Sequence, residues 1–213
     1  MQNFILYFFI FLIYSFIGWL METILVLITT KKLVDRGFLI GPYCPIYGFG
    51  CLLMIKFLTP VKNNIILLFI LAILICGTLE YFTSYIMEKL FKARWWDYST
   101  KKFNINGRVC LETLLPFGIL GTFIMYVATP FFVGLINQIP QTISFILSIV
   151  LIILFIIDNI VSFIIVFNLR GTIKDIMKDN TEEITEKVKE IIKKRSIIYK
   201  RLVKAFPNLK IGN

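Results

Sequence analysis

The stretch Ile65–Leu90, IILLFILAILICGTLEYFTSYIMEKL, decides the fold class of this 213-residue chain. Its first fifteen residues carry no charge, and its apolar side chains cover every face of a helix instead of one stripe. A run of this length and composition is typical of a transmembrane helix. The run lacks the alternation of barrel strands, and a helix satisfies its own backbone hydrogen-bonding groups in lipid. The stretch therefore predicts a helical membrane protein.

Further apolar runs lie on both sides of this stretch, and 58% of the chain is hydrophobic, with a mean hydropathy of +0.82. Together they predict an all-α polytopic transmembrane bundle of about five spans, followed by a cytoplasmic amphipathic helix. The predicted transmembrane domain covers residues 1–169, and the basic tail helix falls in residues 170–213. Gly171 predicts a helix break ahead of that tail. The predicted spans are residues 4–30, 38–58, 65–90, 109–136 and 143–169.

The second run is interrupted by prolines and glycines in Leu39–Gly50, LIGPYCPIYGFG. Proline lacks a backbone donor and clashes with the preceding turn, so we expect this helix to start late, to kink or to be partly unwound. Two interpretations follow. Either the freed carbonyl groups bind something, or the glycines only permit close helix packing.

The basic residues predict the orientation of the chain, whose formal net charge is +10. Three lie in the first loop, six in Lys89–Arg108 and twelve from Arg170 onward, whereas the opposite side has only Lys56 and Lys62. By the positive-inside rule this predicts an external N-terminus and a cytoplasmic C-terminus. Because this orientation accounts for the positive charge, we expect no nucleic-acid partner. The chain has no histidine and no C-x-x-C pair, and we expect no metal site and no cofactor.

Acidic residues inside apolar spans are rare and need a partner or a role. Glu22 lies nine residues before Lys31, and Glu80 lies nine before Lys89, so both sit roughly 13 Å inside the same end of their helices. Arginines follow in each case, which predicts that two glutamates and two arginines converge. The candidate functional polar cluster consists of Glu22, Arg36, Glu80, Arg108, Glu112 and Asp158.

Three interpretations of this cluster stay open. The glutamates and arginines can pair and fix helix packing alone. A desolvated glutamate can instead take up a proton or cation while the interrupted second helix opens a path. In an enzyme, Arg36 and Arg108 would hold a lipid phosphate while a carboxylate acts as base. The last carries less weight, because no nucleophile–base pair is visible, and no catalytic residue is assigned.

The polar stretch Lys92–Glu112, KARWWDYSTKKFNINGRVCLE, predicts a folded cap over the helix ends. Its paired tryptophans are most simply anchors near the lipid headgroups. Its acidic, hydroxyl and amide side chains are expected to order the loop through Asx-type turns. These residues are Trp95, Trp96, Asp97, Tyr98, Ser99, Asn104 and Asn106.

Four motifs in this order carry a family resemblance: GWLMET (18–23), DRGFLIGPYCPIYGFG (35–50), LEYFTSYIMEKLFKARWWDYS (79–99) and FNINGRVCLE (103–112). They resemble the ABC-transporter type IV family, the CmpB-like membrane proteins of bacteria, over about residues 4–135. The family signatures cover Glu22, Arg36, Glu80, Arg108 and Glu112. Their other motif residues are Gly37, Gly41, Pro42, Pro45, Tyr47, Gly48, Trp95, Trp96, Asp97, Tyr98, Asn104 and Gly107.

The resemblance implies a permease-like subunit of unknown substrate, embedded in the lipid bilayer of the bacterial cytoplasmic membrane. The chain has no G-x-x-x-x-G-K-[ST] loop, so ATP hydrolysis would come from a separate cytoplasmic ATPase subunit. Five spans are few for a translocation path, which implies a homodimer or a second membrane subunit. The alternatives are an intramembrane enzyme or lipid-binding protein that uses the Glu/Arg cluster, and a non-transporting membrane partner or sensor.

Overall fold

A computed structural model describes residues 2–91, 93–94, 96–177 and 210–211 of the chain. Six α-helices dominate these residues: α1 (Gln2–Thr30), α2 (Pro45–Leu58), α3 (Ile65–Phe91), α4 (Leu111–Phe123), α5 (Thr129–Asn137) and α6 (Gln141–Met177). The strands are two residues each: β1 (Ala93–Arg94), β2 (Asn104–Ile105), β3 (Val109–Cys110) and β4 (Lys210–Ile211). β1 pairs with β4 and β2 pairs with β3, both antiparallel.

The predicted all-α transmembrane bundle is confirmed. Within the described residues, four helices are long and apolar enough to cross a membrane: Gln2–Thr30, Ile65–Leu90, Leu111–Asn137 and Gln141–Ile165. A shorter apolar helix, Pro45–Val61, combines α2 with a 3-10 turn.

The second predicted span differs most from a regular helix. α2 starts late, at Pro45, where a proline suits the first helical turn. Residues 31–44 are not helical and run back along α1 until the Cys44 amide donates to the Ser15 carbonyl at 2.9 Å. We call them the re-entrant segment because they turn back into the bundle. The chain does not leave the bundle again at the same end but continues through α2 towards the opposite end. Ser15 is halfway along α1, so α2 begins at mid-depth. Cys51 of α2 then packs beside Ile10 and Tyr14.

Two glycines bring α1 and α2 into close contact. A β-carbon at Gly18 would overlap the Tyr47 ring, and one at Gly48 would overlap Ser15 and the Phe11 carbonyl. Such contact is common between helices in membranes, where small residues let backbones approach. The packing interpretation of the interrupted second run therefore applies at Gly48.

α4 and α5 form one span that changes its partner midway. α4 lies against α3, where Gly118 meets the Phe69 ring and Gly121 meets Ala72. A five-residue π-helical turn, Ile124–Ala128, separates α4 from α5. Beyond it α5 packs on α1, where the Tyr14 and Thr129 hydroxyls lie 2.9 Å apart.

α6 extends past the membrane-crossing length. The predicted helix break at Gly171 is wrong, because α6 continues through this residue to Met177. A glycine inside a helix costs only about 1 kcal/mol relative to alanine, and good helix formers on both sides compensate. The predicted amphipathic tail helix lies outside the described residues. Beyond Met177 the structure describes β4 alone.

Most basic loop residues gather at one end of the bundle. We call the end that contains Thr30, Phe91 and Leu111 the polar end. In the described part of the loops and helix ends it holds Lys31, Lys32, Arg36, Lys89, Arg94, Lys101, Lys102 and Arg108. Lys56 and Lys62 lie towards the opposite end, where α2 ends.

Candidate functional site

The first glutamate in the bundle is fully compensated. Tyr47 donates its hydroxyl to Glu22 Oε1 at 2.6 Å, and an Arg36 guanidinium nitrogen lies 3.5 Å from Glu22 Oε2. Both partners are brought to α1 by the re-entrant segment and the first turn of α2. The Arg36 and Glu22 side chains retain 23% and 32% of their exposure, which leaves the ion pair partly hydrated. We call these three residues the Glu22 site.

The second glutamate is buried and much less compensated. Glu80 is 8% exposed, and its Oε1 accepts a long hydrogen bond of 3.3 Å from the Tyr98 hydroxyl. Its Oε2 is buried without a hydrogen-bond partner among the residues that the structure describes. No ion pair between described residues includes Glu80. We call Glu80 and Tyr98 the Glu80 site.

The two sites lie within electrostatic range of each other. Burial raises the pKa of the Tyr98 hydroxyl well above its ordinary value, and the negative charges of Glu80 and Glu22 raise it further. Tyr98 therefore stays protonated and is the donor in its bond to Glu80. Glu22 and Glu80 are therefore near enough for both of their charges to act on Tyr98.

Arg108 lies elsewhere. This buried side chain places one guanidinium nitrogen 2.7 Å from Glu88 Oε2, and Arg94 binds the same oxygen at 3.1 Å. The Arg108 guanidinium also stacks over the rings of Tyr81 and Tyr85, at 5.8 and 5.4 Å from their centroids. The arginine expected at Glu80 therefore binds Glu88 instead, a carboxylate eight residues further along α3.

Asp158 is also separate from the two glutamates and fixes the re-entrant segment to α6. The amides of Ile40 and Gly41 donate to its two carboxylate oxygens at 3.0 and 2.8 Å. The Tyr43 hydroxyl donates to it as well, and Ser162 does so at 3.0 Å. Non-helical backbone at membrane depth requires such partners, because lipid offers none.

Glu112, the last residue of the predicted cluster, lies on the surface. Its carboxylate is 2.7 Å from the Lys101 ammonium, and both side chains are about half exposed or more. The hydrogen bond to Glu112, and then its charge, raise the pKa of Lys101 above its ordinary value. Exposed pairs of this kind contribute little to stability.

A comparison with known families shows the family of the chain. A family model described as "Putative ABC-transporter type IV" matches residues 9–163. The chain belongs to this family. No curated protein and no solved structure matches the chain. Family membership and the apolar helices together make it an ABC-transporter-type membrane protein.

The matched region includes the cap, which we define as residues 93–110. Asp97 accepts the Ser99 amide at 3.1 Å, and the Asn104 side chain accepts the Gly107 amide at 2.9 Å, so Asx-type turns order the loop as expected. The Trp96 indole donates to the Arg108 carbonyl at 3.0 Å. This bond connects the two ends of the cap and holds Arg108, which binds Glu88, in place. Trp95 lies outside the described residues.

Sequence reasoning missed two features of the cap. One is the β2–β3 hairpin, whose turn residues Asn106 and Gly107 have positive φ angles of 52° and 65°. An Asn-Gly pair is the strongest short signal for such a turn and was available in the sequence. The other is the role of Glu88 and Arg94, which complete the Arg108 cluster.

The other family motif residues belong to the re-entrant segment and the start of α2. Gly37 adopts a φ of 111°, which side chains rarely tolerate, and packs against the Cys44 sulfur. Pro42 continues the non-helical path, and Pro45 opens α2. Gly41 donates its backbone amide to Asp158, so these motif residues form the segment and include one of its points of attachment to α6.

Proposed function

We propose that the chain is the membrane-spanning, permease-like subunit of an ABC-type transporter. The observation that carries this proposal is the re-entrant segment, which interrupts a span at mid-depth beside the buried Glu80 and the Glu22 ion pair. Broken spans that meet buried charges are how transporters build binding sites inside a membrane. Family membership supports the same class of function.

The charge distribution supports an orientation for this subunit. The polar end carries most of the described basic loop residues and faces the cytoplasm under the positive-inside rule. The N-terminus of α1 then lies outside. In a bacterium the membrane would be the cytoplasmic membrane.

A separate ATPase subunit is part of the proposal. The sequence has no phosphate-binding G-x-x-x-x-G-K-[ST] loop, so the energy of ATP must enter through a partner. The cap offers that partner an ordered surface at the polar end, with Lys102 exposed and Phe103 80% exposed. A homodimer or a second membrane subunit would complete the translocation path.

The experiment is a pull-down of the tagged protein from its own host in a gentle detergent, with mass spectrometry of the bound proteins. We expect an ATPase in stoichiometric amount. Lys102→Glu in the cap should weaken its recovery, whereas Lys62→Glu, the same charge change near the opposite end, should not. Repeated recovery of the intact protein without an ATPase would refute the proposal.

The alternative of a lipid-phosphate enzyme has less support. It requires Arg36 and Arg108 to present their guanidinium groups to a phosphate. Instead Arg36 lies against Glu22 and Arg108 against Glu88. A permease-like role does not require either arginine to leave its carboxylate partner.

A further inference from the structure

We propose that Glu80 is a proton-binding site inside the bundle, with the proton on Oε2 and the Tyr98 hydroxyl donating to Oε1. The environment of Oε2 favours a proton there, because this oxygen is buried and has no hydrogen-bond partner in the described part of the chain. A buried carboxylate without a counter-charge is far more costly than the neutral acid. A proton removes that cost without any rearrangement of neighbouring side chains.

The balance of charge around the two glutamates also favours a proton on Glu80. Glu22 and Glu80 both act on the Tyr98 hydroxyl, and Arg36 is the cation that pairs with Glu22. One arginine neutralises one carboxylate. The next two arginines along the chain, Arg94 and Arg108, are both bound to Glu88. One bound proton therefore makes the two-glutamate group neutral.

The groups that face Glu80 from the surrounding elements do not replace this proton. On α3 its neighbour is the Cys76 thiol, and from α2 the Tyr47 hydroxyl lies within electrostatic range. On α4 the charged residue is Glu112, which is exposed and paired with Lys101. On α6 Asp158 is bound by the re-entrant segment. None of these described groups brings a positive charge to Glu80.

A proton fits this site better than a metal ion. Hard cations require several oxygen ligands around them, up to eight for calcium. Among the described residues no group of three or more histidine, cysteine, aspartate or glutamate side chains could hold a metal. A proton needs only the one free oxygen that Glu80 provides. This inference rests on the geometry of Glu80 and does not require an ATPase partner.

Infrared spectroscopy of the purified protein in lipid nanodiscs tests the proposal. A protonated carboxyl group gives a C=O stretching band that is absent from a carboxylate and that shifts in D₂O. At neutral pH we expect this band in the wild type, a weaker band in Glu22→Gln because loss of the Glu22 charge favours the Glu80 carboxylate, and no band in Glu80→Gln. The band should fade as the pH is raised. No such band in the wild type, or its survival in Glu80→Gln, would overturn the proposal.

Tyr98→Phe provides a second test that leaves the glutamate in place. It removes the hydrogen bond to Oε1, so the C=O band should persist and move to a higher frequency. An unchanged band position would show that the protonated group is not Glu80. Tyr98→Phe therefore tests the proposal even if Glu80→Gln fails to fold.

Discussion

The Glu22 and Glu80 sites start from the same arrangement and end with different charge states. Each has a glutamate nine residues from the first lysine at its helix end, and each accepts a tyrosine hydroxyl from the following segment. Glu22 also has an arginine, whereas the two arginines that follow Glu80, Arg94 and Arg108, are bound to Glu88. A single choice of ion-pair partner thus separates a structural acid from one that is left to bind a proton.

Loss of Asp158 should have the largest effect, and it should act on the Glu22 side of the comparison. Asp158→Ala leaves the half-buried donors of Gly41 and Tyr43 without their acceptor. It leaves the Ile40 amide with only its 3.2 Å bond to the Ser162 hydroxyl. Each unsatisfied donor costs about 1–3 kcal/mol, so we expect the free energy of unfolding to fall by about 4 kcal/mol. Denaturant titration in detergent micelles measures this change. Asp158→Asn keeps one acceptor oxygen and should lose less, and equal losses would contradict the attachment of the re-entrant segment to α6 through Asp158.

Arg108→Met should have the next largest effect, on the Glu80 side. It removes the cation at 2.7 Å from Glu88 and two ring contacts, although Arg94 still pairs with that carboxylate. Arg108 is buried but the Glu88 side chain is 34% exposed, so we expect the loss of this charged hydrogen bond to cost about 2–3 kcal/mol. Proteolysis of the cap and denaturant titration report the loss.

Lys101→Met is the matched control for Arg108→Met. It removes a basic residue of the same cap whose ion pair with Glu112 is exposed. Because exposed pairs add little, we expect no measurable change in stability. An equal loss in the two variants would mean that the contact of Arg108 with Glu88 is no stronger than an exposed ion pair.

A smaller effect is expected where α1 meets α2. Gly18→Ala places a methyl group against the Tyr47 ring, which should displace its hydroxyl from Glu22. Overpacking of this kind costs about 2 kcal/mol. Gly134→Ala in α5 is the control, because no heavy atom lies within 4 Å of the added carbon, and it should gain about 0.8 kcal/mol. Thermal unfolding of both variants in one detergent compares them.

Glu88→Gln gives the smallest expected effect and the sharpest comparison. It frees Arg108, whose guanidinium already lies 3.3 Å from the Ser84 hydroxyl, one helical turn from Glu80. An arginine that turns towards Glu80 would favour its carboxylate form. We expect a partial loss of the protonated-carboxyl band at neutral pH. An unchanged band would mean that Glu88 does not control the charge of Glu80.

The sequence predicts the fold well because apolar run length alone determines which segments can span a membrane. It also predicts the late start of α2, since Pro42 and Pro45 exclude a regular helix before that point. The shared depth of Glu22 and Glu80 follows from counting helical rise.

The partners of the charged residues could not be predicted in the same way. Glu80, Ser84 and Glu88 recur at four-residue spacing on one face of α3, so helical periodicity places both acids in line with Arg108. Only the path of the cap between Arg94 and Arg108 decides which acid is reached. Asp158 illustrates the same limit, because its donors come from a segment 118 residues earlier in the chain.

The π-helical turn at Ile124–Ala128 changes the direction in which the second half of its span faces. An ordinary α-helix advances 100° per residue, so the extra residue in a π turn rotates everything beyond it by about that angle. Before the turn the span shows Gly118 and Gly121 to α3, and after it Thr129 faces Tyr14 of α1. One helix thereby holds two neighbours in different directions. Deleting a single residue from this turn would carry the α3-facing stripe onward and leave α1 without its partner.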